Sequence, residues 1–219
     1  MTLHQFACGK PSPKKGHMRS QRMRGFSLIE MMIVVVIIMI VSGMTFMSVQ
    51  PALRNARVTN AYNTTLTTLR KARESAVSTR WRRTVSFNTG VTPNTITVTD
   101  TNTGVLITTA TLPNDISFQV LAGVPVTPVG ACPTPDGWGT ASAAVDFDQN
   151  VAAPIKTQII FYPDGSAKDA NLNISNGVVY LARSGDLYSS RAITLWGLTG
   201  RVRGWRLYST GPGNCWSQQ

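Results

Sequence analysis

Between Phe26 and Val49 the chain runs for 24 residues with one charged member, Glu30. As an α-helix that stretch is about 36 Å long, enough to cross the ~30 Å hydrocarbon core of a bilayer. A secretory signal peptide is the alternative, but its apolar region is ~7–15 residues long and ends in a small-x-small cleavage site. No such site follows Val41, and Ser42–Val49 stays apolar. Lys10, Lys14, Lys15, Arg19, Arg22 and Arg24 precede the stretch with no acid among them. The positive-inside rule predicts that this basic end stays cytoplasmic and that the bulk of the chain is exported. A carboxylate inside such a helix costs ~2.5–3.5 kcal/mol at the bilayer centre, so Glu30 needs a partner.

The residues Arg24-Gly25-Phe26-Ser27-Leu28-Ile29-Glu30-Met31-Met32-Ile33-Val34-Val35 resemble the class III signal of type IV pilins and type II secretion pseudopilins. The resemblance implies cleavage by a prepilin peptidase after Gly25 and N-methylation of the new terminus, Phe26. It also implies that Glu30 pairs with the free amino terminus of a neighbouring subunit during filament assembly. Two opposite charges buried together offset a desolvation that neither bears alone. Ser27 stands where the family more often has Thr, and residues 1–25 make a long leader. A start at Met18 would shorten it and remove Cys8.

Pro51 removes a backbone hydrogen bond and is expected to kink or loosen the helix rather than end it. Beyond it Tyr62, Leu66, Leu69, Ala72 and Ala76 recur at helical spacing, predicting one helix from Phe26 to about Thr79 whose second half lays this stripe on a sheet. Arg54, Arg57, Arg70, Lys71 and Arg73 fall mostly off the stripe, as a solvated face or as contacts between subunits. After Trp81 the period becomes alternating. Expected strands are Thr84–Phe87, Thr95–Val98, Val105–Ile107, Ile116–Leu121, Ala144–Phe147, Gln158–Tyr162, Val178–Arg183, Ala192–Trp196 and Val202–Tyr208, with a long loop at Ala122–Gly139. One helix followed by consecutive strands is an α+β protein. Its expected parts are a leader at 1–25, a membrane and assembly half of the helix at 26–50, an amphipathic half at 51–80, and a β-rich head with a basic carboxyl-terminal tail at 81–219.

Net charge is +11, and the charged fraction of 14% is well below the usual ~25%. Charge is also segregated. Residues 54–83 carry eight basic residues against Glu74, residues 84–190 carry eight Asp against three basic residues, and Arg191, Arg201, Arg203 and Arg206 follow with no acid. Such blocks are footprints for anionic partners or solubilising faces. Leader removal leaves Cys132 and Cys215, an even pair in an oxidising compartment, and so predicts a disulfide. The only histidines, His4 and His17, lie in the leader, which excludes histidine triads and zinc sites from the head. Asp146 and Asp148 fall on one strand face as exposed aspartates or a weak Ca²⁺ site, and Asp164 sits in a Pro-Asp-Gly turn. The expectation is a non-enzyme with no cofactor and no metal.

Between Trp196 and Trp216, Arg201, Arg203 and Arg206 interleave with Trp205 and Tyr208, offering cations for phosphates and flat faces for bases. An ordinary last strand with exposed arginines and packed aromatics is the plainer reading. Phe161–Ala167 together with Thr199-Gly200-Arg201-Val202-Arg203 resembles the carboxyl-terminal region of FimT/GspH minor pilins. In FimT-type pilins a Gly-Arg-x-Arg motif binds DNA, which implies a sequence-tolerant DNA site at Gly200, Arg201, Arg203, Trp205 and Arg206, with Arg80, Arg82 and Arg83 as auxiliaries. The expected life history runs from the inner membrane, with the head periplasmic, to a pilus at the cell surface. The partners implied are prepilin peptidase, major and minor pilins and DNA. A structural subunit of a type II secretion pseudopilus and a pilus adhesin remain open beside DNA capture in natural transformation.

Overall fold

The computed structural model describes residues 25–125, 132–138, 143–147, 149, 156–210 and 213–219. The chain divides into two units, Met1–Met47 and Ser48–Gln219. Helix α1 spans Leu28–Thr79 and continues through Pro51. Among the described residues of the first unit its large apolar side chains are exposed, Leu28 by more than three quarters.

In the second unit the helix buries one stripe. Val58, Tyr62, Leu66, Leu69, Ala72 and Ala76 are each less than 9% exposed, while Arg54, Arg57, Arg70 and Lys71 face solvent. Thr65 and Thr68 also lie on the buried side, and each hydroxyl donates back to the carbonyl four residues earlier, at 2.9 and 2.7 Å. That bond lets a threonine enter a core without an orphaned donor. The helix stops where Arg80 takes a positive φ of 58°.

The strands follow in chain order: β1 (Arg83–Asn88), β2 (Thr95–Asp100), β3 (Leu106–Thr111), β4 (Ile116–Ser117), β5 (Val145–Asp146), β6 (Gln158–Phe161), β7 (Ala167–Lys168), β8 (Gly177–Arg183), β9 (Asp186–Trp196), β10 (Arg201–Thr210) and β11 (Gly213–Gln218). They form two antiparallel sheets, β3-β2-β1-β6-β7 and β11-β10-β9-β8-β4, with β5 also paired to β8. The first sheet alternates, with Val85 opposite Val98 and Phe87 opposite Ile96 turned inward. Val179, Leu181, Ile193, Leu195 and Val202 of the second sheet join the helix stripe and the first sheet in one core. Its opposite face carries a second, smaller core of Val178, Tyr180, Ala192, Trp205, Leu207 and Trp216, which Val120, Leu121 and Trp138 cover. Burial on both faces explains why β8 reads as an unbroken apolar run.

The arrangement is α+β and type IV pilin-like, one long amino-terminal helix followed by antiparallel sheets. Some elements differ from expectation. The strand expected over Ile116–Leu121 is confined to Ile116–Ser117, β3 begins at Leu106 and is largely exposed, and β9 starts six residues before Ala192. Strand β11 was not anticipated, since Gly-Asn-Cys-Trp-Ser-Gln shows no apolar alternation. The carboxyl-terminal segment is therefore a hairpin in a sheet. Trp216 donates its indole N–H to the Pro125 carbonyl at 3.0 Å, and Cys215 is joined to Cys132 with a Cα–Cα distance of 5.0 Å. Residues 126–131 and 139 of the Ala122–Gly139 loop and Asp148 lie outside the described residues, as do Met18 and the other leader positions before Gly25.

Candidate nucleic-acid interface

Strands β9 and β10 are joined through Gly197-Leu198-Thr199-Gly200. Gly200 is buried with a φ of +60°, and a Cβ there would overlap the Gly165 carbonyl and lie 2.6 Å from the Arg73 Nε. Only glycine meets both demands, since L side chains avoid positive φ and no space is left for one. The neighbouring turn is closed by Asp164, whose Oδ1 accepts from the Ser166 hydroxyl at 2.6 Å and the Ser166 N–H at 2.8 Å. Those two bonds and nearby Lys168 hold the Asp164 carboxyl below the usual carboxylate range. Arg73 Nε donates to the Gly165 carbonyl at 3.1 Å, tying helix to turn. Thus close packing within the fold by itself requires the glycine of the Gly-Arg-x-Arg sequence.

Between this turn and the end of helix α1 lies an open groove of about 1080 Å³. Arg70 and Arg73 enter it from the helix and Arg201 and Arg203 from β10, against Glu74 and Asp164. Arg70 reaches the Val202 carbonyl at 3.4 Å. The Arg201 side chain is exposed and makes no ion pair or hydrogen bond among the described residues. Arg203 differs. Its Nη1 pairs with Asp136 Oδ1 at 2.6 Å, and the Asp136 side chain is 4% exposed. Asp136 also accepts from the Thr194 hydroxyl, whose oxygen in turn accepts from the Trp205 indole at 3.1 Å. Arg203 is thus the counter-charge of a buried carboxylate, and its guanidinium carbon stands 5.8 Å from the centre of the Trp196 ring.

Several expected site residues lie elsewhere. Trp205 is 7% exposed, part of the second core and hydrogen-bonded to Thr194, so it presents no face for a base. Arg206 alternates onto the opposite face of β10 from Arg201 and Arg203 and lies against Tyr208. Arg83 is buried, bound to Asp100, Ser75 and Thr79. Arg82 is engaged with Asn102 at 2.7 Å. Neither lines the groove, and nor does Arg80.

In their place the structure brings in Arg70, Arg73 and Trp196. Trp196 is 39% exposed, lines the groove and leans on Trp138 with ring centres 4.7 Å apart. The helical pair was visible in sequence as two arginines three apart beside the apolar stripe. Trp196 was visible only as the last residue of an expected strand. Asp146 accepts from Gln149 at 2.5 Å, and among the described residues no group of three or more His, Cys, Asp or Glu is placed to hold a metal.

Residues 20–46 match the prokaryotic N-terminal methylation motif. The match spans Gly25, Phe26 and Glu30 and supports a type IV pilin or pseudopilin, which implies prepilin-peptidase processing and pilin assembly. Helix α1 is long and apolar enough to cross a membrane, which together with the motif points to membrane anchoring. No curated protein and no solved structure matches the chain.

Proposed function

We propose that this protein is a minor type IV pilin of the FimT/GspH type that captures DNA in the groove between helix α1 and the β9–β10 turn. Prepilin peptidase cuts between Gly25 and Phe26, and Phe26 is methylated. The helix then holds the head on the periplasmic side of the inner membrane, and Glu30 draws the subunit into a filament with major and minor pilins. One observation supports the DNA reading most: arginines from two distant segments, Arg70 and Arg73 on the helix and Arg201 on β10, converge on one groove that also exposes Trp196. The guanidinium groups meet backbone phosphates and the indole meets a base or sugar face, a combination that binds without reading sequence.

The test is a DNA titration of the full-length mature protein in non-ionic detergent over a range of salt. Binding is expected to fall steeply with salt, and Arg201→Gln and Arg70→Gln should each reduce the log–log salt slope by roughly one unit. Arg203→Gln is a poor first choice, because it strands the Asp136 carboxylate. Equal binding and equal slopes in the variants would defeat the DNA reading. A second reading, a structural pseudopilin of a type II secretion system, draws on the internal use of Gly200 and Arg203. It predicts no binding at low salt and loss of subunit contacts in the Arg201 variant.

A further inference from the structure

Arg191 and Arg206 stand directly opposite each other in the β9–β10 ladder. Alternation puts both on the face that turns Ile193, Leu195 and Val202 toward the helix. Arg191 is 5% exposed, and its Nη1 donates to the carbonyls of Tyr188 and Ser190 at 3.1 and 3.0 Å. Arg206 is half-buried, with its guanidinium carbon 5.1 Å from the centre of the Tyr208 ring. Its Nε is buried and has no acceptor. Among the described residues neither arginine has a carboxylate partner.

Like charges directly opposite in an antiparallel pair are destabilising, and burial without a counter-charge adds to that cost. Burial and the charge of Arg206 lower the Arg191 pKa to about 10, which leaves Arg191 cationic at neutral pH. Asp186 acts on Arg191 through space without forming an ion pair, and the other polar groups bearing on it are the phenols of Tyr62 and Tyr208. Among the described residues, then, two adjacent arginines stand without a paired anion, and the Arg206 Nε has no acceptor at all.

We propose that Arg191 and Arg206 form an oxyanion site that takes a phosphate group, with Tyr208 holding the Arg206 fork in place. Guanidinium forks match phosphate oxygens two at a time, and a phosphate brings more charge to a doubly cationic site than a carboxylate does. The site is separate from the DNA groove, since Arg206 and Arg201 occupy opposite faces of β10. The phosphate comes from a phospholipid headgroup or from the free ion.

Thermal melting of the full-length mature protein in maltoside detergent tests this, with inorganic phosphate titrated against chloride at constant ionic strength. A ligand that binds only the folded state raises the melting temperature. Phosphate, or phosphatidylglycerol added to the micelles in a parallel arm, is expected to raise it saturably. A rise in the lipid arm alone assigns the headgroup, and a rise with inorganic phosphate assigns the free ion. Arg206→Gln should weaken the response at least about tenfold, while Lys71→Gln, at an exposed position that lines neither site, leaves it intact. No rise in either arm, or an equal rise in Arg206→Gln, would overturn the site. In phosphate-free buffer Arg206→Gln should melt at or above the wild type because a repulsion is removed. A clearly lower melting point there would also overturn the proposal, since Arg206 would then be a structural contact.

Discussion

Gly204 shows how much a single missing side chain decides. A Cβ at this position would overlap the Tyr62 hydroxyl and sit 2.5 Å from the ring carbon that bears it, so β10 and the helix approach only because residue 204 has no side chain. Gly204→Ala should destabilise the head by about 1–3 kcal/mol, as overpacking of a close contact does. Tyr62→Phe should recover part of the loss, and chemical denaturation of the single and double variants checks both. The Arg203–Asp136 pair predicts a different asymmetry. Arg203→Gln leaves a carboxylate only 4% exposed without its cation and should cost about 3–5 kcal/mol. Arg201→Gln, on an exposed side chain, should fall within ~0.5 kcal/mol of the wild type. Sequence placed the two arginines on one strand face but could not tell them apart, because the carboxylate that separates them comes from a loop with no motif. The same loop covers Trp205, so a tryptophan that composition offered as a stacking surface is a core residue.

At the scale of elements, helix α1 was legible almost to its ends because apolar residues at a 3.6 period leave a stripe that no strand can use. Strands β1 and β2 were legible by alternation, and β8 by its continuous apolar run. Strand β11 was not, because partners distant in sequence hold it. Cys215 is joined to Cys132, Trp216 donates to Pro125, and Asn214 donates to the Gly123 carbonyl at 3.1 Å. Its order therefore depends on the loop as much as on β10. Cys215→Ser should lower stability by up to about 4–5 kcal/mol on the chain-entropy account of a long closed loop. Amide exchange should rise first in β11 and the adjoining end of β10, while β8 and β9 stay protected. Uniform loss of protection across the sheet would instead show that the hairpin and the sheet unfold as one.

For the whole molecule the governing quantities are charge and the order in which parts come into being. Asp100 is held below the usual carboxylate range by the Thr103 and Asn102 N–H groups and by Arg83, and Asp164 by Ser166 and Lys168. At Asp169 burial pushes upward, but the Asn173 N–H and Lys156 outweigh it and the net shift is downward. A carboxylate with a lowered folded pKa adds stability above its unfolded value, and that stability is lost as pH falls through the folded one. Melting temperature should therefore be flat near neutrality and fall from roughly pH 4 downward. Asp169→Asn should melt below the wild type at pH 7 and converge on it in strong acid, as thermal melts across pH would show. The Tyr62–Gly204 contact also fixes a sequence of events. The ribosome makes the helix first and the strand that must receive it more than half a chain later. At ordinary elongation rates the stripe of Val58, Tyr62 and Leu69 spends on the order of ten seconds before β10 can pack against it. That is ample time for nascent chains to associate through it, so a chaperone acting on this protein has its work at the helix, before β10 exists.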